Sequence, residues 1–350
     1  MSEEILLERC GGLGLVTLNR PQQLNTLTLA MYRRFDPALI AWGRDPAVEG
    51  VIVQGAGDRA FCAGGDVVAV YEARHQSGTY KADFFREEYQ LIARVHRFPK
   101  PYIALMDGVT MGGGAGISVN GAFRIATERT LFAMPEVHIG LFPDVGASRF
   151  LNLCPGRIGL YLALTGARLT TYDALYCGFA THFVPHDRIA ALRQALETEP
   201  SDRIGRVIQS FAAPMRPASL ESLRPAIDRC FAGSSVEAII AALEREEGAW
   251  AKEALSAIAR ASPLSLKIVF RQMRLGAGMD VEAALTLEYR LTQHCMAGHD
   301  FFEGIRALLV DKDRKPRWQH ASLAAVSDAE VDAYFAPIGD RELRFDSSGR

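Results

Sequence analysis

The chain lacks a Cys-x-x-Cys pair, an apolar run near the roughly 20 residues a membrane span needs, and any long block of like charge. Its six cysteines, Cys10, Cys62, Cys154, Cys177, Cys230 and Cys295, are widely scattered, which argues against a zinc site or a disulfide framework and points to a reducing compartment. The N-terminus passes from Met1-Ser2-Glu3-Glu4 straight into Ile5-Leu6-Leu7 without a basic segment, so the expected location is cytoplasmic, without a targeting segment or membrane attachment. With 39 Lys and Arg against 41 Asp and Glu there is no surplus of cations for a phosphate backbone, and no nucleic-acid partner is expected. No Gly-x-Ser-x-Gly elbow is present to support a serine hydrolase. His96, His182, His186, His294 and His299 show no metal-ligand spacing.

What is present is the balance of an ordinary folded chain, 49% hydrophobic and 23% charged over 350 residues, enough for a full core. Short β-like runs at 14–18, 50–54, 102–106, 123–126 and 180–184 alternate with helical patterns at 29–42, 80–96, 114–120 and 156–165, the habit of an α/β protein. Beyond Asp187 the pattern turns helical, through 241–261, 264–274 and 281–292. Two prolines in Ala213-Pro214-Met215-Arg216-Pro217 interrupt helix and strand alike. The expected division is an α/β core over 1–212 and a helical region over 213–350.

Three glycine-rich segments fail the nucleotide templates. Met111-Gly112-Gly113-Gly114-Ala115-Gly116 has no Gly-Lys-Ser/Thr ending and does not complete G-x-G-x-x-G, and Gly11-Gly12-Leu13-Gly14 leads into a strand as a plain turn. The third, Phe61-Cys62-Ala63-Gly64-Gly65-Asp66, shares with the first a position after a strand. Two such loops can present backbone N–H groups as an oxyanion hole, or their glycines can serve close packing and tight turns.

Three carboxylates stand out. On a helix over 80–96, Phe84, Glu88, Leu91, Ile92 and Val95 share one apolar face. Glu88 there must meet a polar cavity or an arginine within the core. Glu136 follows Met134-Pro135 and Asp144 follows Leu141-Phe142-Pro143. Both apolar turns suit a general base or nucleophile, although Glu136 also reads as a surface turn residue and Asp144 as the N-cap of a helix beginning near Val145. His138 reads as a proton shuttle or as a structural side chain.

Together these segments resemble the crotonase superfamily. Ala60-Phe61-Cys62-Ala63-Gly64-Gly65-Asp66 is similar to its first CoA-binding loop, and Met111-Gly112-Gly113-Gly114 to its second. The resemblance implies an α/β fold, the ClpP/crotonase spiral of ββα units, with a helical C-terminal region completing the site and making contacts in a homo-oligomer, a trimer or hexamer. It implies oxyanion donors at Ala63 and Gly113, with Gly64, Gly65, Asp66 and Gly112 in the loops that contact CoA. Of the two glutamates of the crotonase-type hydratases, the second is present as Glu136, while Gly116 occupies the place of the first.

The remaining acid set is similar to the 3-hydroxyisobutyryl-CoA hydrolase subgroup. It is carried by Phe84-Phe85-Arg86-Glu87-Glu88-Tyr89, Phe132-Ala133-Met134-Pro135-Glu136, Ile139-Gly140-Leu141-Phe142-Pro143-Asp144-Val145-Gly146, and His299-Asp300-Phe301-Phe302-Glu303-Gly304. The chain departs from that pattern at Ala147-Ser148-Arg149-Phe150, where another glycine and an aromatic residue are expected. By this resemblance Glu136 and Asp144 are the catalytic acids, and Glu88 contacts the substrate. The implied reaction is hydrolysis of a short β-hydroxyacyl-CoA in valine degradation, with coenzyme A as part of the substrate and no metal or redox cofactor. A crotonase-fold isomerase or hydratase and a non-catalytic acyl-CoA-binding protein are the alternatives.

Overall fold

The computed structural model describes residues 3–199 and 201–345. The chain packs as two compact units: Met1–Gly65, Gln90–Ala133 and Arg168–Glu221 form the first, and Asp66–Tyr89, Met134–Ala167 and Ser222–Arg350 the second.

All nine strands among the described residues lie in the first unit. β1 (Ile5–Cys10) and β2 (Leu13–Leu18) form an antiparallel hairpin closed at Gly11-Gly12, the turn the glycines foretold. β3 (Gly50–Gly55), β5 (Tyr102–Met106), β7 (Phe123–Ala126) and β9 (His182–Phe183) then add in parallel, in the order β1-β2-β3-β5-β7-β9. Parallel strands covered on both faces need continuous apolar sequence, and all six residues of β2 and all five of β5 are buried. Leu15, Ile52 and Ile103 lie in register across three strands. They share a core with Leu192 and Leu196 of the helix Ile189–Thr198 and Ile208 of the helix Ile204–Phe211.

A second, smaller sheet of β4 (Ala60–Cys62), β6 (Val109–Met111) and β8 (Leu131–Ala133) is also parallel. Its three-residue strands are too short for a period-2 signal, which is why the sequence reading passes over them.

The described part of the second unit is built of helices and turns. Its core includes Phe84, Phe85 and Phe301, packed ring against ring. The helix Tyr80–Arg97 bears out its expected bounds to within one residue. The helix expected over 241–261 is two, Val236–Leu243 and Ala249–Arg260. Gly248, at φ +118°, caps the second, in a conformation that a helix cannot continue through.

Beyond β9 every regular element among the described residues is a helix. No helix among the described residues is long and apolar enough to cross a membrane.

Candidate active site

In the first unit β4 and β6 run parallel with Cys62 opposite Thr110, so the two glycine loops leave adjacent strands at the same edge. Gly64 has φ +116° and Gly112 φ +50°, conformations that a side chain resists. The loops nearly touch: a Cβ added at Gly114 would lie 2.3 Å from the Cys62 carbonyl oxygen, and one at Gly64 would lie 3.5 Å from that of Met111. Gly113 begins the helix Gly113–Val119, so its N–H has no acceptor within the helix. Gly116 is buried within the first turn of the same helix.

The expected donor Ala63 is corrected by the structure. Its N–H donates to the Leu24 carbonyl at 3.0 Å, and a donor already spent on a buried carbonyl cannot also serve an oxyanion. Gly65, two residues on, has an N–H with no acceptor among the described residues. It is an available donor of this loop.

Asp66 belongs to the second unit, where it caps the helix Val67–Glu72 by accepting the Ala69 N–H at 3.3 Å. A capping carboxylate is held in place by its own helix.

The carboxylates gather in this second unit. Glu88 is 2% exposed, Glu136 6% and Asp144 4%. Glu136 opens the 3-10 turn Glu136–Ile139 behind Pro135, and Gly140 at φ +69° closes it, so Glu136 is no surface turn residue. Its Oε2 is buried without a hydrogen-bond partner among the described residues.

Asp144 is no N-cap either, since the helix Ala147–Phe150 is entered through Gly146 without a side-chain cap. It accepts instead from the Tyr89 hydroxyl at 2.6 Å. His138 has Nε2 3.0 Å from the Thr165 carbonyl oxygen, and burial lowers its pKa, which fits the structural reading.

Two further groups join the acids. Glu288, in the middle of the helix Val281–Ala297, is fully buried and accepts the backbone N–H groups of Gly146 at 2.6 Å and Ser148 at 2.8 Å. Gln272 donates through Nε2 to the Pro143 carbonyl at 2.6 Å and to Ser148 Oγ at 2.9 Å. The sequence reading missed Glu288, Gln272 and the role of Tyr89. A signal existed for Glu288: with Val281, Ala284, Leu285 and Leu291 it shares an apolar face, the same anomaly that exposed Glu88.

The electrostatics follow from this burial. Glu136 is held well above the ordinary carboxylate range, first by desolvation and then by the charge of Asp144, with smaller pushes from Glu88 and Glu288. Asp144 is pushed up to about 6 by burial, against the opposing hydrogen bond from Tyr89. Glu288 is pushed up to about 8, again by burial, although its two backbone donors favour the charged form. Neither Glu136, Asp144 nor Glu288 has a cationic ion-pair partner among the described residues. Buried acids without counter-ions are costly, and such pKa shifts concentrate where proton transfer or nucleophilic attack is done. No group of three or more described His, Cys, Asp or Glu side chains is arranged to hold a metal ion.

Short parallel strands ending in glycine loops, with helices filling the rest of the chain, define an α/β protein of the crotonase fold. The sequence matches the enoyl-CoA hydratase/isomerase family over residues 13–335, and the chain belongs to that family. It is 46% identical to the mitochondrial 3-hydroxyisobutyryl-CoA hydrolase of Rattus norvegicus, over 98% of this chain and 91% of that protein. Two solved structures are similar throughout. A carnitinyl-CoA dehydratase from Mycobacterium thermoresistibile has a TM-score of 0.94 at 42% identity, covering 99% of this chain and all of that one. An enoyl-CoA hydratase from Rhodobacter sphaeroides has a TM-score of 0.90 at 42% identity, covering 98% and 100%.

The expected cytoplasmic location is corrected by the similar hydrolases of Rattus norvegicus and Homo sapiens, which are mitochondrial. Scattered free cysteines indicate a reducing compartment without choosing among them, and a targeting address is separable from the folded body that composition describes.

Proposed function

We infer that the chain hydrolyses a short β-hydroxyacyl-CoA thioester, 3-hydroxyisobutyryl-CoA to 3-hydroxyisobutyrate and CoA, as a step of valine degradation. The observation that carries the chemistry is the buried, unpartnered Oε2 of Glu136 with Asp144 acting on it. Near-full-length identity to 3-hydroxyisobutyryl-CoA hydrolases supports the substrate.

In this reading the N–H groups of Gly65 and Gly113 stabilise the oxyanion that develops on the thioester carbonyl. Glu136 either attacks that carbonyl, expelling the CoA thiolate and leaving a mixed anhydride for water to cleave, or takes a proton from the attacking water. Both routes need Glu136 ionised. Asp144, held as an acceptor by the Tyr89 hydroxyl, orients the water. Glu88 accepts a hydrogen bond from the β-hydroxyl. Gly64 and Gly112 shape the loops that contact CoA. Coenzyme A enters as part of the substrate, and no metal or redox cofactor takes part. Assembly as a trimer or hexamer belongs to the same proposal, and sedimentation measures it.

The two similar solved structures, of a carnitinyl-CoA dehydratase and an enoyl-CoA hydratase, favour a second reading, hydration or dehydration of an enoyl-CoA. Gly116 weighs against it, since syn-hydration handles its water with two acids and this position supplies none. Free thiol separates the readings. Hydrolysis of 3-hydroxyisobutyryl-CoA releases it, whereas hydration, isomerisation and simple binding do not. Absence of thiol, or hydration of crotonyl-CoA at a comparable rate, overturns the hydrolase.

A further inference from the structure

The turn that carries Asp144 does not hold its shape by local preference. Val145 is β-branched yet stands at φ +57°, and Gly146 follows at φ +92°. A β-branched residue adopts the left-handed region only where its surroundings impose it. Beside the turn's own bond, from the Ala147 N–H to the Asp144 carbonyl at 2.9 Å, two side chains from two helices hold it.

Gln272, on the helix Pro263–Gly276, grips the residue before Asp144 by donating to the Pro143 carbonyl at 2.6 Å. Glu288, on the helix Val281–Ala297, grips the residues after it, one carboxylate oxygen accepting from Gly146 N–H at 2.6 Å and the other from Ser148 N–H at 2.8 Å. Asp144 lies between these grips, its carboxylate meeting the Tyr89 hydroxyl at 2.6 Å.

A carboxylate is the side chain that suits the second grip, because two diverging N–H donors need two acceptor oxygens and an amide offers only one. Even with two backbone donors to offset its desolvation, an acid side chain buried at 0% exposure is a costly way merely to stabilise a turn. We propose that Glu288 is a positioning residue for the hydrolysis, acting through the Val145–Gly146 turn to hold Asp144 at the reacting centre. The inference rests on the reading of Asp144 as a catalytic acid.

Glu288→Gln tests it, since the amide keeps the volume but turns one acceptor into a donor facing a backbone N–H. The measurement is kcat and KM for 3-hydroxyisobutyryl-CoA on the wild type, Glu288→Gln, Asp144→Asn and the double variant, with melting curves beside them. Misplacing a reacting group by about 1 Å can cost on the order of a hundredfold, so a fall in kcat of roughly 10- to 100-fold with KM nearly unchanged is expected. In the Asp144→Asn background the second substitution should lower kcat by less than about twofold, because residues acting as one unit are not additive.

A folded Glu288→Gln protein with wild-type kcat, or an equal loss in both backgrounds, overturns the proposal. Full activity in Asp144→Asn removes the reading of Asp144 and this inference with it; an inactive Asp144→Asn beside a fully active Glu288→Gln removes only Glu288. Should the amide variant fail to fold, Glu288→Asp keeps both oxygens but withdraws them by one methylene. The same loss in kcat, absent from the Asp144→Asn background, then supports the proposal, and unchanged kcat defeats it.

Discussion

The two units present different kinds of chemical group. The strand-bearing unit offers main-chain groups: the N–H of Gly65 at the end of a short strand and the N–H of Gly113 at the start of a helix. The helical unit offers side chains: Glu88, Glu136, Asp144 and Glu288, all buried. Backbone donors need only an edge of parallel strands and glycines that let two loops approach. Carboxylates in an apolar interior cost several kcal/mol each unless hydrogen bonds or neutralisation offset them, and the helical unit meets that cost with Tyr89 and with the N–H groups of Gly146 and Ser148. Local backbone geometry can thus make an electrostatic cradle, whereas reactive acids require a tertiary scaffold that keeps them dry.

Substitutions can break this comparison. The largest effect is expected from Glu136→Gln, which keeps the shape but loses both nucleophile and base. Thiol release should fall at least about a hundredfold while binding of the CoA ester, followed by calorimetry, persists. Near-normal release would remove the helical unit's claim to the chemistry.

On the strand side, Gly114→Ala would place a methyl 2.3 Å from the Cys62 carbonyl and force the two loops apart. Overpacking of that kind costs about 1–3 kcal/mol, so the melting temperature and kcat should fall together. A variant as stable and as active as the wild type would show that the close approach of the loops is incidental.

A smaller and more selective effect is expected from Glu88→Gln. A hydrogen bond to a charged acceptor contributes roughly 1.5–3 kcal/mol, so the preference in kcat/KM for 3-hydroxyisobutyryl-CoA over isobutyryl-CoA should shrink about tenfold or more. An unchanged ratio would confine Glu88 to a structural role.

The smallest expected effect is a displaced pH profile. Because the proposed reaction needs Glu136 ionised and burial raises its pKa, kcat/KM should fall as pH drops through that raised value, above the ordinary carboxylate range. Asp144→Asn removes the second-largest cause of the shift, and the acid limb of the residual activity should move to lower pH. Burial remains, so the limb should not return fully to the ordinary range. An unmoved limb would show that the two acids do not sense each other.

Much of this was legible in the residues alone. Continuous apolar runs foretold β2, β3 and β5, because strands buried on both faces admit little else. The 3.6-residue period placed Glu88 on an apolar helix face, where its burial at 2% exposure was found. Periodicity could not reach β4, β6 and β8, whose three residues apiece carry no repeat, nor could it tell which N–H of the first glycine loop is already taken. That choice fell to Leu24, whose carbonyl accepts from Ala63 and leaves Gly65 available.

By itself, then, the sequence determined the family, the longer strands and helices, and three of the carboxylates that stand in apolar surroundings, because these depend on neighbours within a few residues. Only the tertiary structure decided which acids act on one another and what holds them. Glu288 reaches the Asp144 turn from more than 140 residues away in the chain, its bonds to Gly146 and Ser148 spanning 142 and 140 positions, and no local pattern encodes a contact that exists only once distant helices have packed.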